Sequence, residues 1–579
     1  MSTGLRRIGH VGFAGLIVMV GWNAQAEDIG PINQQQRRQQ AFQMRQDAAL
    51  SERNAPWASH PDNGDEKRYA THIGSFAKAL PHTALGQVDP SAYQALLDAL
   101  ASGRANRFEA IPMGGTVKLA DPQAAYAYVL EGADSAQLKV RPAPTLASAE
   151  EAGEMVELYW QALTRDVAYS AYATDPLIAA AAADLSRLSD FRAPKTDGAV
   201  TPKTIFRGPR PGDLAGPYVS QFLLKDIPHG STQIVQRYKT PVAGDDYLTG
   251  YDAWLKIQQG TPAPKSNAFD ETPRYIRNSR DLSEYVHRDY TYQAFVDACL
   301  MLAGMKAPLD AGNPYVTSKT QSGFATFGAP DALDLTAHAA NAALKAVWYQ
   351  KWLVHRRLRP EEFGGLVHNA KIGAADAPIN PELLISPVLQ KVFAKYGTYL
   401  LPMAYPEGCP THPAYPAGHA AIAGACVTIL KAFFDESFVI PNPVVASDDG
   451  LTLVPYTGAP LTVGGELDKL ASNISISRDA AGVHWRSDAV EGMNLGEQVA
   501  IALLKEMGPC VNERFKGFSL TKFDGTTIII GAAQRRWIPR PKIRRGRGDT
   551  ELEQDDEDTV MTIQAGPEST SPSFDDVTP

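Results

Sequence analysis

The sequence predicts an all-α protein of bundled helices with long loops and minor short strands. Three observations predict it. Long stretches repeat apolar residues at three- and four-residue intervals, the helical period. Pro- and Gly-rich segments separate those stretches. Strand signal is confined to short pieces, such as Thr452–Val454 and Thr526–Ile530.

Taken in order, the chain opens with a targeting segment. Arg6 and Arg7 precede an apolar run from Val11 to Val20, and Ala24-Gln25-Ala26 places small residues before Glu27. A charged start, an apolar centre and an A-x-A site make a secretory signal peptide over residues 1–26. The competing reading, an uncleaved membrane anchor, suits a longer apolar run. The expectation is therefore export to the periplasm or the extracellular space, with no stable membrane span after cleavage. Residues 27–70 are polar and Gln/Arg-rich and read as an extended or loosely packed arm. Glu151 to Tyr172 is amphipathic, with Met155, Leu158, Tyr159, Ala162, Leu163 and Val167 at helical spacing. Ile178 to Leu188 reads as a further helix and residues 193–217 as a loop. Asp281 to Leu302 and Ala332 to Leu358 are helical, and residues 359–390 and 396–416 read as loops around a short helix. His419 to Phe434 and Val483 to Met507 are strong helices. Residues 531–579 form a charged tail. Seven Arg/Lys over 535–547 precede six Asp/Glu over 551–558, then a Ser/Thr/Pro-rich end. Such blocks read as disordered.

Composition narrows the function. The 579 residues are 44% hydrophobic and 21% charged, ordinary fractions for a folded protein. The net charge of −9 argues against a nucleic-acid binder, which would carry a basic balance. Export permits disulfides. The four cysteines, Cys299, Cys409, Cys426 and Cys510, allow three full pairings, and spacing does not choose among them. No cysteine or histidine cluster has zinc spacing.

Three segments carry chemistry. In the first, WYQKWLVHRRLRPEE, a helix would put Lys351, His355 and Arg359 on one face, beside Trp348 and Trp352. Two cations aimed together suit an oxyanion, although a basic stripe is more often a solvated face. In the second, PEGCPTHPAYPAGHAAIAGACVTIL, Pro416 precedes an Ala-rich helix. A helix N-terminus offers free N–H groups and a positive dipole end. Gly418 admits close approach to the backbone, His419 stands in the first turn, and His412 lies in the preceding loop. A lone loop histidine is otherwise an exposed or packed imidazole. In the third, SNISISRDAAGVHWRSDAVEG, Arg478 leads to His484 and Asp488, spaced i, i+4. A carboxylate there can fix the imidazole tautomer and leave Nε2 as a ligand or nucleophile. The bland reading is a surface pair worth little. Together the segments suit a tetrahedral oxyanion bonded to a histidine.

These motifs resemble the phosphatidic-acid-phosphatase type 2 superfamily, with its Lys…Arg-Pro, Gly-His and Ser-Arg…His…Asp pattern. Within it the chain is similar to the vanadium-dependent haloperoxidases of the algal bromoperoxidase type. Seven residues lie between Lys351 and Arg359, the algal spacing, and P-T-H-P-A-Y-P-A-G-H-A follows the algal pattern. ELYWQALTRDVAY and FRGPRPGDLAGPYVSQFLLKDIPHG extend the resemblance upstream. It implies one large all-α unit over residues 71–530, with two four-helix-bundle-like cores and the active site within 345–490. Length alone, at about 100–200 residues per domain, would suggest three or four domains.

Carried over position by position, the resemblance implies a vanadate cofactor with His484 Nε2 as the protein ligand to the metal. Lys351, Arg359 and Arg478 would neutralise its oxygens, and the Gly418 N–H would donate to another. His419 would be the acid–base residue. Lys351 would polarise hydrogen peroxide, and halide would be oxidised to hypohalous acid, which halogenates small organic acceptors. Trp348 and His412 match the halide side, and a histidine at 412 points to bromide, with iodide also oxidised. Asp488 would support His484. A homo-oligomer is expected.

One position departs. The usual Ser before Gly-His is Ala417. A lost hydrogen bond to a charged group costs about 1.5–3 kcal/mol, so weaker vanadate binding is expected. Two alternatives share the same pocket. One is an exported acid phosphatase using His484 as nucleophile and His419 as acid. The other is a degenerate member that only binds an oxyanion.

Overall fold

The computed structural model describes residues 33–532. The expectations for the signal peptide and for the tail from 533 onward lie outside the described residues. Within them the fold is all-α, with three two-stranded antiparallel hairpins at 227–234, 444–455 and 518–530 as the strand content. Apolar side chains gather in two large clusters and a smaller third. The first is built on Gly418–Phe433, Ala329–Tyr349, Val463–Ala480 and Arg486–Cys510. The second lies around Ala149–Thr164, Pro176–Ser186, Pro360–Lys371 and Pro387–Tyr396. The third packs on Pro90–Ser102. No helix of the described residues is long and apolar enough to cross a membrane. All four cysteines are free thiols, with Cys299, Cys409 and Cys426 buried and Cys510 exposed.

Close helix contact aligns the ends that matter. The Gly418–Phe433 helix is buried along almost its whole length and rich in Ala. A Cβ added at Gly424 or Gly496 would overlap the backbone of the facing helix, so glycine is what lets the two approach. At the start of the pair the Ala417 N–H donates to the Asp488 carbonyl at 3.0 Å. The two helix N-termini therefore meet.

Several elements differ from the sequence reading. Residues 34–54 form an α-helix, Gln34–Asn54, instead of an extended arm; Asn33 caps it, and its Gln, Arg and Ala favour helix without an apolar stripe. It has no buried residue, so propensity and capping define it. Asp281–Leu302 is two helices, Ser279–Arg288 and Gln293–Gly304, parted at Asp289–Tyr292. Pro360 starts a helix, Pro360–Lys371, where a loop was expected. Proline suits the first helical position, and Glu362 accepts the Arg359 N–H at 2.7 Å. Val463–Ala480 is an unanticipated helix. Its buried residues include Asp468, Lys469, Ser472 and Asn473, which hide the apolar period. They are satisfied internally, as by Lys431 to Asp468 at 3.0 Å and Ser472 to Asp213 at 2.8 Å.

Candidate oxyanion-binding active site

The first segment reaches the site by a different route from the helical face expected. The Ala329–Tyr349 helix widens into a π-turn, Gln350–His355, and Arg356 takes a left-handed φ of 37°. The helix ends there, so Lys351 and Arg359 converge from two elements. His355 does not join them: it packs edge-on against Tyr415 at 4.8 Å. Lys351 is fully buried, and its Nζ donates to the carbonyls of Pro413 at 2.7 Å and Ala414 at 2.6 Å. Arg359 caps the next helix and is also fully buried. Its Nε donates to the His412 carbonyl at 2.9 Å and Nη1 to the Val483 carbonyl at 2.6 Å.

His484 lies just before the Arg486–Cys510 helix, so its pairing with Asp488 is a capping geometry, not the helical i, i+4 face expected. Asp488 Oδ2 accepts the Trp485 N–H at 3.1 Å and lies 2.8 Å from His484 Nδ1. His484 Nε2 faces Arg359 Nη1 at 3.0 Å. A guanidinium has only donors, so Nε2 must offer its lone pair and Nδ1 must carry the proton. Burial pushes the imidazole well below its ordinary pKa, and the charges of Arg359, Lys351, Arg478 and His412 push the same way. Burial and Arg359 likewise lower Lys351, and burial lowers Arg359 itself.

Arg478 sits in the last turn of Val463–Ala480. Its Nη1 donates to the Val286 carbonyl at 2.8 Å, while its buried Nε has no partner. The Gly418 helix starts at Ala417, whose side chain provides no cap, so the first-turn N–H groups have no intrahelical acceptor. A Cβ on Gly418 would meet Leu344 and Trp348 at 3.7 Å each, which sets the helix start beside Trp348. Trp348 in turn lies 4.8 Å from the His412 ring, and its buried Nε1 is unpartnered. Arg359 Nη2 is 3.0 Å from His412 Nδ1. The structure thus gathers Lys351, Arg359, Arg478, His412, His484 and Trp348, with the Gly418 helix start adjoining.

Other groups carry no sequence signal of their own. Asp289 Oδ1 is 3.0 Å from His419 Nε2, and the His419 side chain keeps 20% exposure while Asp289 keeps 3%. Arg357 binds Asp488 Oδ1 at 2.7 Å. Lys78 donates to the carbonyls of Glu407 at 2.7 Å and Cys409 at 2.6 Å, holding the strand of loop that leads to His412. Each joins residues far apart in the chain, so no local spacing could reveal it.

The arrangement fits a tetrahedral oxyanion. Three buried cations and two histidines face one another here, with the His484 pKa lowered by burial and by the positive groups around it, and the Arg478 Nε proton is unclaimed. A buried excess of cationic groups is costly until an anion neutralises it. His484 Nε2 supplies a metal-ligating nitrogen, so vanadate matches both the charge and the donor set.

The chain is similar to known proteins over most of its length. A family model for the VCPO second helical-bundle domain matches residues 333–513. A vanadium-dependent bromoperoxidase of Ascophyllum nodosum is 35% identical over 506 residues, spanning 83% of this chain and 90% of that protein. A vanadium-dependent bromoperoxidase of Corallina officinalis is 35% identical over 557 residues, spanning 81% and 92%. The homohexameric structure of the second vanadate-dependent bromoperoxidase from Ascophyllum nodosum superposes with a TM-score of 0.83 at 31% identity. That match spans 91% of this chain and 94% of that one.

Proposed function

The chain belongs to the vanadium-dependent haloperoxidase family, and from that premise we propose that it oxidises bromide with hydrogen peroxide to hypobromous acid. Iodide is a further substrate, and small organic molecules accept the oxidised halogen. The observation that carries the reading is His484 Nε2, held free of its proton by Asp488 within a ring of buried cations.

His484 would bind the metal through Nε2. Lys351, Arg359 and Arg478 would hold the oxygens, joined by the Gly418 N–H. Bound there, vanadate supplies a Lewis-acidic centre at which peroxide is activated for two-electron oxidation of halide. The protein's part is electrostatic and acid–base. The three cations stabilise negative charge as it builds on oxygen, in a site already organised before reaction. The His419 Nε2–H is held by Asp289, so Nδ1 would be the nitrogen that holds and passes on the protons of the reaction. Its partial exposure provides the solvent route those protons need. His412 and Trp348 form the wall where halide approaches, with the unpartnered indole N–H as a donor to an anion.

We further infer export, on the strength of the charged, apolar and A-x-A segment at residues 6–26. A homo-oligomer is in keeping with the homohexameric relative. The exposed Gln34–Asn54 helix is available to a second copy.

The test of function is bromination of monochlorodimedone by purified protein with peroxide and bromide, before and after orthovanadate. The expected result is bromination that depends on vanadate. A folded protein that never brominates, but hydrolyses p-nitrophenyl phosphate, would replace this reading with the phosphatase one.

A further inference from the structure

The run Arg356-Arg357-x-Arg359 sends its three guanidinium groups in different directions, because Arg356 turns the chain through a left-handed conformation. Arg359 faces the oxyanion site. Arg356 pairs with Glu66 at 2.6 Å. Arg357 reaches Asp488, the carboxylate that pairs with His484. It is buried, as are its partners. Its Nη1 donates to Asp488 Oδ1 at 2.7 Å and to Ser487 Oγ at 2.8 Å. Its Nη2 donates to Glu154 Oε2 at 3.0 Å and also to Glu151. Its guanidinium lies over the Trp485 ring at 4.8 Å. Glu154 reaches the same turn from the other side, accepting the Ser487 N–H at 2.7 Å and the Ser487 hydroxyl at 2.9 Å.

We propose that Arg357 is a positioning residue that sets how tightly the site holds its oxyanion, acting through Asp488 on His484. Asp488 has two oxygens and two tasks. Oδ2 faces His484 and the Trp485 N–H, and Oδ1 is claimed by Arg357. Without Arg357, Asp488 Oδ1 would lose the bond that fixes the orientation of the carboxylate. A reoriented carboxylate would release His484 Nδ1 and free the ring to expose the wrong nitrogen. The direct partner of a metal-ligating histidine, here Asp488, is worth about 10–100-fold in affinity, so the group that orients it acts within that range. Glu151 and Glu154 hold the other side of the guanidinium, so Arg357 is fixed in the place from which it orients Asp488. They also belong to the Ala149–Thr164 helix, which ties ligand orientation to the N-terminal half of the fold.

The proposal rests on His484 being the ligand-bearing residue. Its test is orthovanadate binding by isothermal titration to wild type, Arg357→Lys and Ser487→Ala, with ¹⁵N-histidine spectra of the vanadate-free proteins. A lysine keeps the charge but cannot span Asp488 and Glu154 as a guanidinium does. Arg357→Lys is expected to bind vanadate about tenfold more weakly, and the His484 signal to lose its single Nδ1–H tautomer. Ser487→Ala removes one hydroxyl and is expected to weaken binding a few-fold, which keeps the test decisive should the lysine variant not fold. Arg356→Lys, outside this cluster, should match wild type. Folded variants with wild-type affinity and an unchanged tautomer would overturn the proposal. A wild-type protein that binds no vanadate would overturn the His484 reading as well.

Discussion

Asp289 Oδ1 stands 3.0 Å from His419 Nε2, joining residues 130 positions apart at the gap between two helices. The carboxylate is buried and the imidazole half-buried. This fixes which nitrogen of His419 is left for chemistry. Asp289→Asn should keep vanadate affinity within about twofold, because neither atom is a ligand. It should lower kcat for bromination about 10²–10⁴-fold, the range a positioned acid–base group contributes. Steady-state kinetics with saturating vanadate would check both. A variant with unchanged kcat would remove Asp289 from the account.

Ala417 occupies the cap position of the helix that presents Gly418 and His419, and its side chain makes no hydrogen bond. Ala417→Ser restores a hydroxyl to this end. It should tighten vanadate binding about tenfold, the low end of about 1.5–3 kcal/mol for a bond to a charged group. It should also raise thermal stability, since a serine cap is worth about 1 kcal/mol over alanine. Vanadate titration and a thermal melt without vanadate separate the two effects.

Lys351 and Arg359 are carried by different elements, yet both are buried among main-chain carbonyls. Arg359→Lys keeps the charge but loses the fork that spans His412, Val483 and His484. Vanadate affinity should fall about 10–100-fold. Bromide KM should rise as well, since His412 loses the group that holds it. Retained affinity would show that Arg359 acts only as a charge.

Asp246 is buried between Arg165, at 2.5 Å, and Arg280, at 2.9 Å. Burial pushes its carboxyl up, but the two guanidinium groups push it further down, well below the ordinary carboxylate range. A depressed acid stabilises the fold fully above its unfolded pKa of about 3.9 and loses that contribution as pH falls through the folded value. Asp246→Asn should therefore cost about 3–5 kcal/mol at pH 7 by leaving Arg165 buried without its carboxylate and Arg280 with Asp166 alone. The gap to wild type should hold from about pH 5 to 8 and shrink below about pH 4. Arg165 also binds the Ala480 carbonyl at the end of the helix bearing Arg478, so vanadate affinity should fall with it. Denaturant melts across pH would read the first effect and titration the second.

The parts of the site legible in the sequence are those written within a few residues of one another. Gly418 and His419 open one helix, and His484 stands just before another whose first turn carries Asp488, so both motifs survive as local patterns. Their geometry was less legible than their identity. Lys351 and Arg359 meet because a π-turn and the left-handed Arg356 break the helix, where an unbroken helix would also have brought in His355. The Val463–Ala480 helix was hidden because its interior residues are polar and satisfied by distant partners. Asp289 and Arg357 were invisible for a related reason: each acts on a residue brought near only by the fold. The all-α class was readable because several helices bury apolar residues at helical spacing, and the central Gly418–Phe433 helix is buried along almost its whole length.

The most direct test of the central claim is titration of the vanadate-free protein with orthovanadate, comparing wild type with His484→Ala and following bromination of monochlorodimedone at each point. Wild type should bind one vanadate per chain and brominate in proportion to occupancy. His484→Ala, folded to the same degree, should bind at least about 100-fold more weakly and not brominate. A folded His484→Ala protein with wild-type vanadate affinity and activity would contradict the assignment of His484 as the metal ligand, and with it the account of the site.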